Sequence, residues 1–287
     1  APASRTPACT RARASSAAMY GSAHPSTGRP RLIAVASLSR GAGATVLSAL
    51  LAVSLARRRP TALVEIPGGE PELFAMLAGG NEAVPRSGRS APAPPPISRR
   101  HVCWQAGPRL QVHALHPDQG TPEGKDASPQ PAAASAEAVL AMLAPERLKL
   151  PETSPAEPPI VIADLSSGWI SGGARAAASS CDVLLMVADP SVWRWTPARL
   201  AAWRELSRMR ESAGLPTLWI ANQDARFPQR SAWIRLMPQP PAAFVPQLAP
   251  GAWPAAVWTG IPPAGGSKQL AAAVRSLEPV AERILNG

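Results

Sequence analysis

Short, uninterrupted apolar runs recur along the chain, and they predict strands that are buried on both faces of a sheet. Segments with helical character follow several of these runs, among them residues 46–56 and residues 197–213. Strands that alternate with helices predict an α/β fold with a doubly wound, mostly parallel sheet flanked by helices. The predicted strands occupy residues 31–37, 61–66, 160–163, 183–187 and 217–221.

Weaker patterns complete the predicted order of elements. Residues 101–104 and 110–115 alternate in polarity and predict two short strands, while residues 134–143 predict a helix. Further predictions are a short helix over residues 72–77 and a last strand over residues 255–258. A closing helix over residues 268–285 is expected to pack on the sheet, because its apolar residues form one stripe: Leu270, Ala273, Val274, Leu277, Val280 and Ile284.

Proline-rich stretches separate the predicted elements. The chain has 35 prolines, and they cluster outside the apolar runs. Residues 1–30 are rich in Ala, Ser, Pro and Arg and predict a disordered basic arm. Residues 31–287 then form one α/β domain with low-complexity inserts near residues 84–100, 116–133 and 151–159.

The charge is positive and unevenly distributed. The net charge is +10, and no carboxylate precedes Glu65. A basic arm can bind nucleic acid or anionic lipid, but Tyr20 is its one aromatic residue apart from His24 and no heptads accompany this charge, which favours a solvated arm. The three cysteines form no C-x-x-C pair, which argues against a disulfide scaffold or a zinc site and predicts a cytoplasmic protein. No apolar run is long enough to predict a transmembrane segment.

A glycine-containing turn follows the first predicted strand. Gly41 and Gly43 permit a tight turn and a close approach of backbone N–H groups to an anion. The helix that follows directs its positive end at the same place. This arrangement is typical of a phosphate-binding loop of the type G-x-x-x-x-G-K-[ST], which also needs a lysine before the Ser or Thr. Ala44 occupies that place before Thr45, so the loop lacks its lysine.

Polar residues also stand at the ends of other predicted strands. Glu65 ends the second, Asp164 a middle strand and Asn222 a later one. Any one of them alone could be a turn former. Ligands of doubly wound sheets bind at the carboxyl ends of the strands, so the ordered set favours a nucleotide-binding fold.

The chain resembles the MinD/ParA group of deviant P-loop ATPases, which includes pilus-assembly and cellulose-synthesis relatives. The family loop, Lys-Gly-Gly-x-Gly-Lys-Thr-Thr, matches residues 39–46, and residues 51–58 resemble the helix that follows it. Residues 160–168 resemble the Walker B strand and its switch, and residues 219–222 resemble the strand whose Asn reads adenine. Residues 62–67 resemble the family's second strand, which carries Asp-x-Asp.

The resemblance implies a site for ATP or ADP with Mg²⁺, and the alternative is that no cofactor is bound. It implies that Thr45 and Asp164 hold the metal and that Asp164 is a candidate catalytic residue. The residues that it assigns to the nucleotide are Arg40, Gly41, Ala42, Gly43, Ala44, Thr45, Val46 and Asn222.

Departures from the family pattern affect the expected activity. Ser39 replaces the signature lysine, Ala44 replaces the loop lysine, and Glu65 and Pro67 stand where the family has Asp-x-Asp. Removing one preorganised donor costs about 3 kcal/mol, or roughly 10²–10³ in rate. The expectation is therefore a degenerate member, a pseudo-ATPase with weak or no hydrolysis that serves as a positioning, assembly or regulatory factor. The alternative is an active ATPase of this type, in which Arg40 turns toward the phosphates.

A second alternative is a dinucleotide-binding oxidoreductase. Gly41-x-Gly43 with Glu65 further on fits part of that fingerprint, but Val46 occupies the place of its third glycine.

Partners are suggested by the tryptophans and by the resemblance. Eight of the nine tryptophans lie from Trp169 onward, and they indicate either a protein-partner surface or core packing. The family dimerises face to face over the nucleotide, so the resemblance implies a homodimer, although the signature lysine is absent at position 39. Some relatives also associate peripherally with a membrane.

Overall fold

The structure is a computed structural model that describes most of the predicted elements. The described residues are 30–67, 73, 101–115, 135–148, 150, 157–170, 172–224, 230–248 and 268–286. The predicted strand over 255–258 and the inserts near 84–100 and 116–133 lie outside them, as do most of the arm and of the helix predicted over 72–77. The division into an arm and one domain therefore stays a prediction.

An eight-stranded sheet forms the centre of the described chain, in the order β3-β4-β2-β5-β1-β6-β7-β8. β3 pairs antiparallel with β4, and every other neighbouring pair is parallel. The prediction of a doubly wound, mostly parallel sheet is thus confirmed. The strands are β1 (Arg31–Ser37), β2 (Thr61–Glu65), β3 (His101–Gly107), β4 (Leu110–Leu115), β5 (Ile160–Ser166), β6 (Val183–Ala188), β7 (Thr217–Asp224) and β8 (Ala243–Pro246).

Helices connect these strands. A short 3₁₀ turn, Val192–Arg194, follows β6. None of the helices in the described part of the chain combines the length and the apolar character that crossing a lipid bilayer requires. The α-helices are α1 (Ala44–Ala56), α2 (Ala136–Met142), α3 (Pro145–Leu148), α4 (Gly172–Ser180), α5 (Pro197–Ser212), α6 (Arg230–Ile234) and α7 (Lys268–Asn286).

The core has two layers because alternate residues of each strand face opposite sides of the sheet. Ile33 and Val35 of β1 pack on one side with α1 and α7, while Ala34 and Ala36 pack on the other side with α2, α4 and α5. The predicted apolar stripe of the closing helix is buried in the first layer. Strands buried on both faces explain why the predicted runs were apolar throughout.

The structure corrects several predicted elements. α1 begins at Ala44 rather than at residue 46, and β5 continues to Ser166. Four elements were not predicted, namely the short helices α3 and α6, the helix α4 and the strand β8. α4 is built from Gly, Ala, Ser and one Arg, which give little apolar periodicity, and β8 is a four-residue edge strand that follows prolines.

Close packing of α4 on α2 explains one glycine in particular. A Cβ atom added at Gly173 would lie 2.2 Å from Cγ2 of Val139 and 2.7 Å from the carbonyl oxygen of Ser135. Val139 is fully buried, and the Ser135 atom belongs to the backbone. Neither can move aside without shifting α2.

We therefore expect Gly173→Ala to destabilise the protein. Alanine is the better helix former, but overpacking of this kind costs about 1–3 kcal/mol, which outweighs that gain. Urea denaturation measures the difference. Gly107→Ala is the matched control, because a Cβ there meets its nearest neighbour, Cβ of Leu110, at 3.8 Å. Equal denaturation midpoints for the two variants would contradict the packing argument.

Candidate functional site

The carboxyl ends of the parallel strands lie at one edge of the sheet, and this edge holds most of the residues of interest. β2, β5, β1, β6 and β7 are neighbours in that order, so their carboxyl ends meet at the same edge. Glu65 and Val35 both pair with Asp164 across the sheet, and Asn222 follows Ala221, which pairs with Ala188 of β6. The structure thus brings the glycine turn, Asp164 and Asn222 together.

The turn between β1 and α1 is left-handed at both of its glycines. Gly41 has φ +79° and Gly43 has φ +83°, a region that only glycine enters readily. Gly43 directly precedes α1, and its carbonyl oxygen accepts a hydrogen bond from the amide of Leu47 at 3.0 Å. The first turn of α1 contains no acidic residue, so the positive end of the helix is not neutralised there.

Exposure differs along this turn. Arg40 and Gly41 are exposed, Gly43 and Val46 are half-buried, and Ala42, Ala44 and Thr45 are buried. Solvent therefore reaches the turn from the side of Arg40 and Gly41.

Asn222 holds the turn from the end of β7. Its side-chain Nδ2 donates a hydrogen bond to the carbonyl oxygen of Ala42 at 2.7 Å, and the residue is 7% exposed. A Cβ at Gly43 would lie only 2.4 Å from the same Nδ2, so this contact requires glycine. Sequence reasoning assigned Asn222 to the adenine and did not foresee that its amide contacts the loop.

The two positions at which the related loops carry lysine are buried and uncharged. Ser39 is 2% exposed, and its hydroxyl donates a hydrogen bond to Oδ1 of Asp189 at 3.0 Å. Ala44 is 4% exposed. Asp189, at the end of β6, is a residue of this edge that was not among the predicted site residues.

Thr45, Asp164 and Ser166 form a small polar cluster beneath the turn. Oδ1 of Asp164 accepts hydrogen bonds from the amide of Ser166 at 3.1 Å and from its hydroxyl at 3.2 Å. The hydroxyls of Thr45 and Ser166 are 2.7 Å apart. Asp164 is 2% exposed, and its Oδ2 has no hydrogen-bond partner within the residues that the structure describes. Ser166 was not predicted, and its φ of +44° is unusual for a residue other than glycine.

Burial raises the pKa of Asp164 from 3.8 to about 7. Hydrogen bonding by Thr45 and Ser166 lowers the pKa, whereas the nearby carboxylate of Glu65 raises it further. Glu65 itself is a structural residue, because its two oxygens accept hydrogen bonds from the amides of Leu73 at 2.8 Å and Leu115 at 2.9 Å.

The cluster fits a magnesium ion. Mg²⁺ prefers hard oxygen ligands and is commonly held by one or two protein groups together with phosphates and water. The Thr45 hydroxyl and Oδ2 of Asp164 are oxygen ligands of this kind. In the part of the chain that is described, no three His, Cys, Asp or Glu side chains form a metal-binding group, so a site held by protein ligands alone is not indicated there.

Some of the described tryptophans from Trp169 onward are buried in the core, and one lies at the surface. Trp193, in the 3₁₀ turn, is 75% exposed. The buried ones are Trp169, Trp195, Trp203 and Trp219, each at most 7% exposed. Trp169 also donates a hydrogen bond from its ring nitrogen to the carbonyl oxygen of Ser37 at 2.7 Å, next to the turn.

A parallel sheet whose first strand runs through a glycine turn into α1, beside an aspartate on the adjacent strand, defines the fold class of the P-loop NTPases. Comparison with solved structures confirms this class and narrows it: the chain has the fold of the MinD/ParA ATPases. No protein-family model matches the sequence, and no curated protein sequence is similar to it.

Three solved structures illustrate the likeness. A plasmid partition protein from Borrelia burgdorferi has a TM-score of 0.56 and 11% identity, covering 90% of this chain and 98% of that one. The cell division ATPase MinD of Pyrococcus furiosus has a TM-score of 0.55 and 18% identity, covering 88% and 99%. The septum site-determining protein MinD of Pyrococcus horikoshii, complexed with Mg-ADP, has a TM-score of 0.53 and 17% identity, covering 90% and 96%.

The raised pKa of Asp164 predicts a pH dependence of stability. Between about pH 4 and pH 7 the folded protein binds more protons at this carboxyl than the unfolded chain does. The free energy of unfolding therefore falls as the pH rises through this range, by an amount on the order of 4 kcal/mol. Asp164→Asn removes this dependence, so the variant should gain stability relative to the wild type as the pH rises.

Urea denaturation at pH 5 and pH 8, with EDTA present, tests this expectation. Glu146→Gln, at an exposed position of α3, is the control and should follow the wild type at both pH values. If Asp164→Asn changes between the two pH values as much as the wild type does, the carboxyl is not the group that titrates.

Proposed function

We propose that this protein binds ATP or ADP with Mg²⁺ at the turn between β1 and α1 and hydrolyses the nucleotide weakly or not at all. The observation that carries the proposal is a buried oxygen of Asp164, beside Thr45, that has no hydrogen-bond partner among the described residues. It lies beneath a left-handed glycine turn that has no lysine. Binding would serve a positioning, assembly or regulatory role.

Phosphate binding follows from the backbone and the helix. Gly41 and Gly43 let the main chain approach an anion closely, and the first turn of α1 adds the positive end of the helix dipole. Magnesium would be held by the Thr45 hydroxyl and Asp164, and it would neutralise charge on the phosphate oxygens. A related structure that binds Mg-ADP with the same fold supports this assignment.

Adenine recognition is proposed for Asn222. Its Nδ2 already donates to the carbonyl oxygen of Ala42. The carbonyl oxygen of the same side chain is the group suited to accept a hydrogen bond from the adenine amino group. Asn222 would thus hold the loop through its Nδ2 and recognise adenine through its side-chain carbonyl oxygen.

Weak hydrolysis is proposed because the loop has no lysine at either of the family's two lysine positions. Phosphoryl transfer depends on positioning and on neutralising charge at the phosphate oxygens, and one lost donor costs about 3 kcal/mol. Ser39 and Ala44 are buried and uncharged at the two lysine positions. Glu65 holds backbone amides, which leaves it poorly placed to position water or, as the dinucleotide alternative requires, to bind a ribose. An active ATPase remains the alternative that phosphate release would reveal.

Partner binding is proposed for the surface around Trp193, since exposed aromatic residues are enriched in protein interfaces. A homodimer formed over the nucleotide would use the same edge of the sheet. We also propose a cytoplasmic location, which is supported by the thiols of Cys103 and Cys181, since they form no disulfide within the described residues.

We expect Mg-ADP and Mg-ATP to raise the thermal unfolding temperature of the wild-type protein, with phosphate release close to background. At a ligand concentration of 100 times Kd the stabilisation is about 2.7 kcal/mol. Ala44→Lys restores a cation beside the loop and should tighten nucleotide binding by about tenfold or more, the effect of one charge-assisted hydrogen bond. Calorimetry measures the affinity.

Ser54→Lys is the matched control, because it adds the same charge to α1 away from the turn and should leave the affinity unchanged. Absence of nucleotide binding in both the wild type and Ala44→Lys would contradict a nucleotide site. If the wild type releases phosphate from ATP and Asp164→Asn does not, the protein is an active ATPase and the pseudo-ATPase proposal is wrong.

A further inference from the structure

The loop supplies no lysine, and its own cation is the exposed Arg40, which occupies neither of the two lysine positions. A second cation for a bound phosphate can come from another segment of the chain. The hydroxyl of Ser39 donates a hydrogen bond to Asp189 at 3.0 Å, and the side chain of Ala44 has no polar atom. The positive end of α1 contributes only a partial charge. Among the described residues, Arg194 brings a guanidinium group to the turn from a different segment of the chain.

Arg194 contacts the turn from the segment that follows β6. Its Nη1 donates a hydrogen bond to the carbonyl oxygen of Arg40 at 3.4 Å, and it lies 3.4 Å from the position that a Cβ of Gly41 would take. β6 pairs with β1, so the 3₁₀ turn Val192–Arg194 and the glycine turn emerge from adjacent strands.

The backbone of Arg194 is fixed on both sides. Its amide donates to the carbonyl oxygen of Ser191 at 2.9 Å, and the amide of Trp195 donates to that of Val192 at 3.0 Å. Trp195 is 7% exposed and packs in the core. Thr196 then caps α5, since its hydroxyl accepts a hydrogen bond from the amide of Arg199 at 3.3 Å. The arginine therefore extends from an anchored turn.

We propose that Arg194 supplies the phosphate-binding cation of this site, taking the place of the loop lysines, for a nucleoside diphosphate or triphosphate. The proposal rests on the proposed function and deepens it. A guanidinium group can bind two phosphate oxygens in parallel and keeps its charge at every physiological pH. Gly41 leaves room for this approach because it has no side chain, and its exposed position opens the turn to the ligand.

A second observation points to a ligand at the same turn. The Oδ2 atom of Asp164 is unpartnered within the described residues, and this carboxyl is 2% exposed beside Thr45. A buried oxygen without a partner is costly unless a ligand completes it. A metal ion beside Asp164 and the guanidinium group near Gly41 would bind the same phosphate chain. Neither group alone would bind it as tightly as the two together.

Arg194→Ala tests the proposal in the full-length protein. We expect the dissociation constant of Mg-ADP, measured by calorimetry, to rise by about tenfold or more, as for the loss of a charge-assisted hydrogen bond. Arg194→Lys keeps the charge but loses the two-point contact, so its affinity should lie between those of the wild type and Arg194→Ala. The loss on Arg194→Ala should be greater for ATP than for AMP, because fewer phosphates reach the guanidinium in AMP.

Two further variants control the comparison. Arg204→Ala removes an exposed arginine from α5 and should change the affinity by less than about twofold, since exposed charges away from the site act weakly. Arg40→Ala removes the arginine of the loop itself. If Arg40→Ala lowers the affinity and Arg194→Ala does not, the cation is Arg40 and the proposal is overturned.

The outcomes also separate this proposal from the proposed function. A wild-type protein that binds Mg-ADP with an affinity unchanged by Arg194→Ala overturns the role of Arg194 alone. A wild-type protein that binds neither Mg-ADP nor Mg-ATP overturns the nucleotide site, and the role of Arg194 with it. Arg194 is exposed and touches the loop through a single carbonyl oxygen, so thermal unfolding of the variant without nucleotide should match that of the wild type.

Discussion

The contact between Asn222 and the turn before α1 constrains the geometry of the whole edge. Asn222 donates to the carbonyl oxygen of Ala42, and its amide leaves no space for a side chain at Gly43. A glycine with positive φ is therefore required both by the backbone and by the neighbour. Because α1 begins directly after this turn, the contact sets where Thr45 lies relative to β5.

The polar cluster beneath the turn argues for retained binding chemistry. An isolated buried carboxyl is costly, and proteins usually satisfy both of its oxygens or replace it. Asp164 has one oxygen bonded by Ser166, while the other lacks a partner within the described residues. Ser166 also adopts a left-handed conformation that a serine rarely takes, and such strain concentrates at functional sites. The chain therefore combines serine and alanine at the lysine positions with two groups suited to a metal ion, Thr45 and Asp164.

The sequence predicted those strands and helices whose structure is determined by their own residues. Residues 183–187 form a strand buried on both faces, and such a strand is apolar at every position. α4 could not be predicted in this way, because its small residues fit against α2 without an apolar stripe. In the site, parallel strands made it predictable that Asp164 and Asn222 would share an edge. The contacts of Glu65 with distant backbone amides could not be read from its neighbours in the chain.

If the phosphate-binding cation comes from Arg194 rather than from a loop lysine, phosphate affinity depends on a different segment of the chain. A lysine within the loop is fixed by the same backbone that holds the phosphate. A guanidinium group at Arg194 is instead held by the turn between β6 and α5, which depends on the burial of Trp195 and the cap at Thr196. Trp193 is exposed in that same turn. A partner that contacts Trp193 would then act on phosphate affinity through the position of the next residue, which links the two proposed surfaces by one short segment.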